Sequence, residues 1–144
     1  MAQFLATHPA VARVHHPGLD SSPWRAQAQT YLPDGVSSVF AFDLPATGDA
    51  EADFRLVEEF ISRLQVVKLV ANIGDARSLV AHPASMTHSH LSPAQLADAG
   101  ISWTTIRLSI GLEDVRDIVA DLDRALADVP LPAAEPQLAA SSSR

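Results

Sequence analysis

The sequence predicts an α+β fold, with a small antiparallel or mixed sheet and helices on one face of it. Two kinds of segment alternate along the 144 residues. Short stretches of alternating apolar and polar side chains are typical of half-buried strands, and longer stretches with apolar side chains three and four residues apart are typical of helices. Their order suits helices layered on such a sheet. We expect the second face of the sheet to be either solvated or covered by a segment outside this chain.

The first third of the chain predicts two helices and two strands. "MAQFLATH" at 1–8 resembles the last turns of a helix, and "VARVHH" at 11–16 alternates as a strand does, before a Pro-Gly turn. A serine pair precedes Pro23, and proline is tolerated at the first helical position, so a helix is predicted from Pro23 to about residue 31. "SSVFAFDL" at 37–44 alternates valine and phenylalanine with small residues, which predicts a strand.

The clearest amphipathic helix is predicted to begin at Asp49. Apolar side chains fall at helical spacing on one face, which we expect to pack on the sheet: Phe54, Val57, Ile61 and Leu64. Charged side chains occupy the other face: Glu51, Asp53, Glu58 and Arg63.

Two short strands, a short helix and a longer strand are predicted next. "VVKLVA" at 66–71 and "SLVAH" at 78–82 are the strands. Ser92 precedes a proline and lies three residues before a glutamine, which is the pattern of a capped helix start, and Gly100 ends that helix. "TTIRLSIG" at 104–111 alternates, with Arg107 and Ser109 on the face opposite the aliphatic residues.

A second amphipathic helix closes the predicted domain, which covers residues 1–129. Its apolar face contains Val115, Ile118, Val119, Leu122 and Leu126. We expect the carboxylate pairs of this region to lie on a solvated face: Glu113 with Asp114 and Asp121 with Asp123. The remaining segment, 130–144, is rich in Pro, Ala and Ser and has no periodicity, so we expect it to be a disordered tail.

Composition excludes several classes of function. The net charge is −7 and the basic residues are scattered, so neither nucleic acid nor an anionic membrane is an expected partner. The chain has no cysteine, no apolar run long enough to span a bilayer and no start typical of a secretion signal, so a cytoplasmic location is expected. Glycine-rich phosphate loops and the G-x-S-x-G elbow are also absent from the sequence.

Three histidines form the one metal-like group in the sequence. His88 and His90 would point to the same side of an extended segment, with His82 nearby. Three neutral imidazoles would leave the charge of a metal ion uncompensated, and residues 82–92 contain no acid. We therefore expect no metal site.

Arg107 needs a partner wherever the sheet buries it, because arginine does not lose its charge. Its strand places the guanidinium on the same face as Ser109. The partner is either a structural carboxylate, with Asp75 and Glu113 as the candidates, or an acidic ligand held by two parallel hydrogen bonds.

Two long motifs resemble one enzyme family. "ANIGDARSLVAHPASMTHSHL", followed by "GISWTTIRLSIGLEDVRDIVADLDRAL", is similar to the C-terminal domain of the Cys/Met-metabolism family of pyridoxal-phosphate (PLP) enzymes of fold type I. The resemblance extends from about residue 1 to residue 127 and includes "VARVHHPGL" and "GVSSVFAFDL". Asn72 stands where the lyases of the family usually have a serine, which makes the chain most similar to the O-acetylhomoserine sulfhydrylases.

The resemblance implies roles for three residues. Arg107 matches the arginine that grips the α-carboxylate of the substrate, and Asn72 matches a residue beside that carboxylate. Thr87 matches a threonine close to the cofactor lysine, although it would serve equally well to brace the loop after Pro83. An arginine fork with an amide donor would fix one end of an amino acid while PLP supplies the electron sink.

The resemblance also shows what this chain does not contain. Its single lysine, Lys68, lacks the surroundings of the Schiff-base lysine of the family, so we expect no catalytic residue here and no activity of the chain alone. The expected function is the carboxylate-binding, C-terminal part of a sulfhydrylase that adds a sulfur nucleophile to an O-acyl-homoserine. Its expected partners are further copies or a large PLP domain. The alternatives are a cystathionine γ-synthase or γ-lyase and a non-catalytic dimerisation or regulatory module.

Overall fold

The computed structural model describes residues 1–127 and Val129, and the predicted tail lies outside the described residues. The described part contains five helices and five strands. In chain order these are α1 (Ala2–Thr7), β1 (Arg13–His15), α2 (Arg25–Tyr31), β2 (Val39–Asp43), α3 (Ala50–Ser62), β3 (Lys68–Leu69), β4 (Leu79–Ala81), α4 (Pro93–Asp98), β5 (Thr105–Ser109) and α5 (Val115–Ala127).

The strands form one mixed sheet in the order β1-β2-β5-β4-β3. The pairs β1–β2, β2–β5 and β5–β4 are antiparallel, and only the short edge strand β3 runs parallel to its neighbour β4. The predicted α+β class with a mixed sheet is therefore confirmed. The central strand is β5, so its side chains have neighbours on both sides.

One face of the sheet packs against helices and forms the main core. Phe42 on β2 and Leu108 on β5 are fully buried, as are Phe60 on α3 and Leu122 on α5. The rings of Phe42 and Phe60 meet edge to face, with their centroids 5.9 Å apart. The apolar faces of the amphipathic helices therefore provide this layer, as the spacing predicts.

Local signals set most of the element boundaries. The Ser92 side chain accepts from the backbone N–H of Gln95, and the Gln95 side chain accepts from the N–H of Ser92, which is the predicted capping box of α4. Asp49 accepts from the N–H of Ala52 at the start of α3. All five strands are shorter than predicted, β1 and β3 most of all, and α2 begins at Arg25 rather than at Pro23.

Two carboxylates expected on polar faces are buried. Asp53 accepts from both the backbone N–H and the hydroxyl of Thr47, at 2.7 and 2.8 Å. Asp121 is 1% exposed, and it accepts from three successive N–H groups of the segment that leads into β3, those of Gln65, Val66 and Val67. The prediction of a solvated Asp121 was wrong, because the backbone between α3 and β3 meets this side of α5 and needs an acceptor.

The second face of the sheet is covered in part by loops of this same chain. Thr105, Ser109 and Leu79 on this face are each at most 4% exposed. Gly74 donates to the Ser109 hydroxyl, and the N–H of Ser102 donates to the Thr105 hydroxyl. The expectation that this face is solvated or covered only from outside was therefore wrong at these positions. Among the described residues, no helix is long and apolar enough to cross a membrane.

Candidate functional site

Arg107 lies at the centre of the loop-covered face. Because side chains alternate along a strand, its neighbours Ile106 and Leu108 are buried in the helix-covered core and its own side chain points the other way. Its partners across the sheet are Ala41 on β2 and Ala81 on β4. Two small side chains therefore flank the guanidinium stem, so that the sheet surface has room beside it.

The Arg107 guanidinium has few partners within the chain. Its Nη2 donates to the backbone oxygen of Asn72 at 3.1 Å, and its Nε is buried and has no hydrogen-bond partner in the described part of the chain. A buried donor without an acceptor costs on the order of 1–3 kcal/mol. The arrangement leaves hydrogen-bonding capacity for an acceptor that approaches from the loop-covered face.

Neither carboxylate expected to pair with Arg107 does so. Asp75 accepts from the backbone and side chain of Arg77, which lower the pKa of this carboxyl. Burial would raise the pKa of Glu113, but hydrogen bonds from the Ser78 N–H and hydroxyl outweigh burial and leave the pKa below its ordinary value. Within residues 1–127 no acidic side chain forms a salt bridge with Arg107. The structural partner that the described residues provide is the backbone carbonyl of Asn72, and the acidic ligand stays a prediction.

Asn72 lies directly beside this arginine, on the loop of residues 71–78 between β3 and β4. Its carbonyl accepts from Arg107, and its side-chain oxygen accepts from the N–H of Ile73 at 2.9 Å. The side chain is exposed. Gly74 has a φ of +75°, a conformation that glycine adopts without strain, and its N–H donates to the Ser109 hydroxyl at 3.1 Å. The turn thus returns the loop onto β5.

Thr87 is located on a different loop, after Pro83. Its hydroxyl approaches the Pro83 carbonyl at 3.5 Å and lies 2.8 Å from the His88 Nδ1. No hydrogen bond joins it to Arg107 or Asn72 in the described residues. Bracing of the loop is thus observed, and the place of Thr87 near a cofactor lysine stays a prediction.

The three histidines of the metal-like group do not come together. His82 is 2% exposed and its ring nitrogens bond to the Ser85 hydroxyl at 2.8 Å and the Trp103 carbonyl at 3.0 Å. His88 instead pairs with Thr87. No three metal-binding side chains gather anywhere in the residues that the structure describes. His82 is therefore a packed, hydrogen-bonded residue of the fold.

Lys68 does not fit the role of a cofactor lysine. It lies on the edge strand β3, it is exposed, and its ammonium group donates to the backbone carbonyl of Gln65. One strand, β4, lies between its strand and β5, which carries Arg107. The described residues therefore do not fit a covalent attachment site for PLP.

Sequence reasoning missed the residues that hold the 71–78 loop in place. Ser78 is fully buried and bonds through its N–H and hydroxyl to the Glu113 carboxylate, each at 2.8 Å. Glu113 was expected on a solvated face and is half-buried instead. The alternation of β5 puts Ser109 on the face of Arg107, which is a signal for that residue. The sequence contains no comparable signal for Ser78 and Glu113, because their pairing depends on the tertiary fold.

Solved structures define the class of protein. A structure assigned as an O-acetylhomoserine (thiol)-lyase from Campylobacter jejuni, with N'-pyridoxyl-lysine-5'-monophosphate, matches with a TM-score of 0.79 and 38% identity over 88% of this chain and 28% of its own. Cystathionine gamma-lyase from Lactobacillus plantarum, complexed with L-serine, matches with a TM-score of 0.76 and 31% identity over 88% of this chain and 31% of its own. The fold is that of fold type I PLP enzymes.

The family then follows from the sequence comparison. The profile of the Cys/Met metabolism PLP-dependent enzymes matches residues 1–127, and this chain belongs to that family. O-acetyl-L-homoserine sulfhydrylase 1 from Thermus thermophilus is 42% identical over 88% of this chain and 29% of its own length. L-methionine gamma-lyase from Pseudomonas putida is 43% identical over 88% of this chain and 30% of its own length. The chain thus spans less than a third of the curated relatives that it matches.

Proposed function

We propose that this chain is the substrate-carboxylate-binding part of a PLP-dependent γ-replacement enzyme, of the type that transfers a sulfur nucleophile to an O-acyl-homoserine in methionine and cysteine metabolism. The observation that carries the proposal is the Arg107 guanidinium, which is partly buried between two alanines, bound to one backbone carbonyl and left with an unpartnered Nε. The family membership gives the dependence on PLP, and the sulfhydrylase relatives support γ-replacement as the reaction.

The geometry of arginine explains why a carboxylate is the proposed ligand. The guanidinium is planar and presents its N–H groups as a fork that matches the two oxygens of a carboxylate. The outer guanidinium nitrogens of Arg107 make one hydrogen bond in the described residues, to the Asn72 carbonyl, and a carboxylate on the loop-covered face would supply further acceptors. The exposed Asn72 amide lies beside the same site and would add one neutral donor.

In this proposal the chain orients the substrate and other segments do the chemistry. PLP, when bound, withdraws electrons from the substrate amino acid. Arg107 and Asn72 would hold the carboxylate, and Thr87 would lie near the cofactor lysine through the loop after Pro83. The Schiff-base lysine would come from a large PLP domain, in the same protein or in a homo-oligomer, and the chain alone would be inactive. The cytoplasmic location stays a prediction.

A related lyase is the second candidate. The methionine gamma-lyase relative is as similar as the sulfhydrylase relatives, so elimination of a γ-substituent competes with replacement as the reaction type. Asn72 favours the sulfhydrylase type because lyases of the family usually have serine there. A non-catalytic dimerisation or regulatory module derived from the family is the remaining alternative.

A chimeric enzyme would test the proposal. Residues 1–127 would replace the matching part of the Thermus thermophilus sulfhydrylase, and the product would be assayed with O-acetyl-L-homoserine plus sulfide and, separately, with L-methionine. We expect sulfhydrylation with the first pair and little elimination from the second. Elimination alone would favour the lyase type, and a folded chimera without either activity would favour the non-catalytic module.

In that chimera, Arg107→Ala should raise KM and lower kcat/KM by roughly 30- to 900-fold, which corresponds to about 2–4 kcal/mol for loss of a charged, two-pronged contact. Arg116→Ala is the matched control, because Arg116 is an exposed arginine paired with Asp114. If both variants keep the kinetics of the parent, Arg107 does not bind the carboxylate.

A further inference from the structure

We infer that Glu113 is a positioning residue for the proposed carboxylate site: together with Ser109 it holds the 71–78 loop against β5, so that Asn72 and Arg107 keep their relative geometry. This inference rests on the proposed function. Glu113 itself lies at the far end of the loop from Asn72, so that its effect on a ligand would act through the loop.

Hydrogen bonds join the end of the loop to Glu113 and to the residues before it. The Glu113 carboxylate accepts from the Ser78 N–H and the Ser78 hydroxyl, each at 2.8 Å. The same hydroxyl accepts from the N–H of Gly111 at 2.9 Å, and the N–H of Leu112 donates to the carbonyl of Ala76 at 2.8 Å. Four hydrogen bonds therefore join the end of the loop to the turn between β5 and α5.

Close packing at Gly111 makes this junction rigid. A Cβ atom built on Gly111 would lie 2.4 Å from the Ala76 carbonyl oxygen and 2.6 Å from the Ser78 nitrogen. These are backbone atoms, and they cannot move aside as a flexible side chain would. The two segments are in direct backbone contact, which only glycine allows at this position.

A further hydrogen bond holds the middle of the loop. The Ser109 hydroxyl, two residues along β5 from Arg107, accepts from the N–H of Gly74. The loop is thus held at Gly74 and at its end, and its free part is the short segment around Asn72. The one hydrogen bond that the described structure gives the Arg107 guanidinium goes to the Asn72 carbonyl, in that segment.

Contacts through the 71–78 loop therefore link Glu113 to the ligand site. If the end of the loop detaches, only the bond from Gly74 to Ser109 still holds the loop to β5, so the carbonyl of Asn72 is fixed less firmly and the Arg107 guanidinium is oriented less well. A misplaced guanidinium cannot form the two parallel hydrogen bonds on which carboxylate affinity depends. Loss of Glu113 should therefore weaken ligand binding although Glu113 does not touch the ligand.

Asp53 provides a matched control elsewhere in the fold. Its carboxylate accepts from the N–H and the hydroxyl of Thr47, at 2.7 and 2.8 Å, which is the pattern that Glu113 forms with Ser78. Asp53 lies on α3, outside the 71–78 loop and the β5–α5 turn. Asp53→Ala therefore removes an equivalent pair of hydrogen bonds without detaching the 71–78 loop.

The experiment uses the 144-residue chain labelled with ¹⁵N, and its probes are O-acetyl-L-homoserine and the methyl ester of this compound. In Glu113→Ala we expect the Gly74 amide to exchange about tenfold faster with solvent, the Arg107 Nε–H resonance to move, and Kd for O-acetyl-L-homoserine to rise about tenfold. The Ile106 and Leu108 amides should keep their protection, which reports an intact core. Glu113→Gln keeps one acceptor oxygen and should lie between Glu113→Ala and the parent.

Asp53→Ala should leave the Arg107 resonance and Kd as in the parent. The positioning role is overturned if Glu113→Ala keeps the parent Kd and Arg107 resonance, or if Asp53→Ala weakens binding equally. If the Ile106 and Leu108 amides lose their protection in Glu113→Ala, the core of that variant is not intact. Glu113→Gln is then compared with the parent and with Asp53→Ala in its place. Failure of the proposed function looks different, because the unaltered chain would then show no binding that depends on a free carboxylate.

Discussion

The two faces of the sheet are stabilised in different ways. The helix-covered face is a continuous apolar layer, in which Phe42, Phe60 and Leu122 are each fully buried. On the loop-covered face individual hydrogen bonds attach the loops, such as Gly74 to Ser109 and Ser102 to Thr105. An apolar layer tolerates small shifts, whereas directed bonds fix the position of single groups, and the candidate site lies on the face that has the directed bonds.

The largest expected effect comes from the apolar layer. Phe42→Ala should lower the free energy of unfolding by about 3–5 kcal/mol, because it removes a fully buried ring and leaves a cavity beside Phe60. Val39→Ala on the same strand is the control, since Val39 is on the loop-covered face and half-buried, and it should cost less than about 1.5 kcal/mol. If urea denaturation gives the two variants equal losses of unfolding free energy, the two faces do not differ in how they are stabilised.

Asp121→Ala should have the next largest effect, about 2–4 kcal/mol at neutral pH. It leaves three N–H groups without their acceptor, of which that of Val67 is buried, and it removes the ion pair with Arg124. Asp123→Ala, on the exposed side of the same helix, should change unfolding by less than about 0.5 kcal/mol. If both variants lose the same unfolding free energy, the buried Asp121 carboxylate does not hold the segment that leads into β3.

The contribution of Asp121 should also depend on pH. Burial by itself would raise the pKa of this carboxyl, but the hydrogen bonds from Val67, Gln65, Val66 and Arg124 lower it below 3.8. The stabilisation is therefore present above pH 3.8 and is lost as the pH falls through the lower pKa of the folded state. The stability difference between the parent and Asp121→Ala should shrink in that acid range, and a constant difference would contradict this account.

Gly111→Ala tests the close backbone contact on the loop-covered side. The new methyl group would meet the backbone of residues 76–78 at distances of 2.4 to 2.6 Å, so the turn and the loop must separate. We expect a loss of about 1–3 kcal/mol in unfolding free energy, as in other overpacked sites. Exchange of the Ser78 amide should become faster. Unchanged exchange would mean that the loop is not held by this junction.

The smallest expected effect on stability comes from protonation of His82. Burial lowers the pKa of this imidazole below 6.5, and the hydrogen bond with the Trp103 carbonyl offsets only part of that change. The unfolded chain therefore takes up the proton first as the pH falls below 6.5, and unfolding becomes easier. NMR titration of the His82 ring should give a midpoint below 6.5, and a midpoint at or above this value would be inconsistent with a buried neutral ring.

The sequence predicts the helix-covered face better than the other face, for a physical reason. Apolar spacing in α3 and α5 reports which side of each helix is buried, because burial of apolar area is a property of the residue type. The capping box at Ser92 is equally local. The predicted elements are therefore observed in the right order, although every strand is shorter than predicted and α2 begins two residues later.

Polar partners were harder to predict because they depend on which segments meet in space. A carboxylate in a helical pattern is usually solvated, yet Asp121 binds the backbone of a segment more than fifty residues away. Arg107 was correctly placed on the second face of β5, but its lack of a carboxylate partner is visible only in the fold. The roles of Arg107, Asn72 and Thr87 stay predictions from the family resemblance.

The most direct test of the central claim is a ¹⁵N NMR titration of the Arg107 Nε–H resonance in the unaltered chain. The Arg107 guanidinium is partly exposed on the loop-covered face and makes one hydrogen bond in the described residues, which leaves it able to bind a carboxylate. Added O-acetyl-L-homoserine should therefore shift this resonance in a saturable way, whereas its methyl ester should not. If both compounds shift it equally, or if neither does, Arg107 is not a carboxylate site.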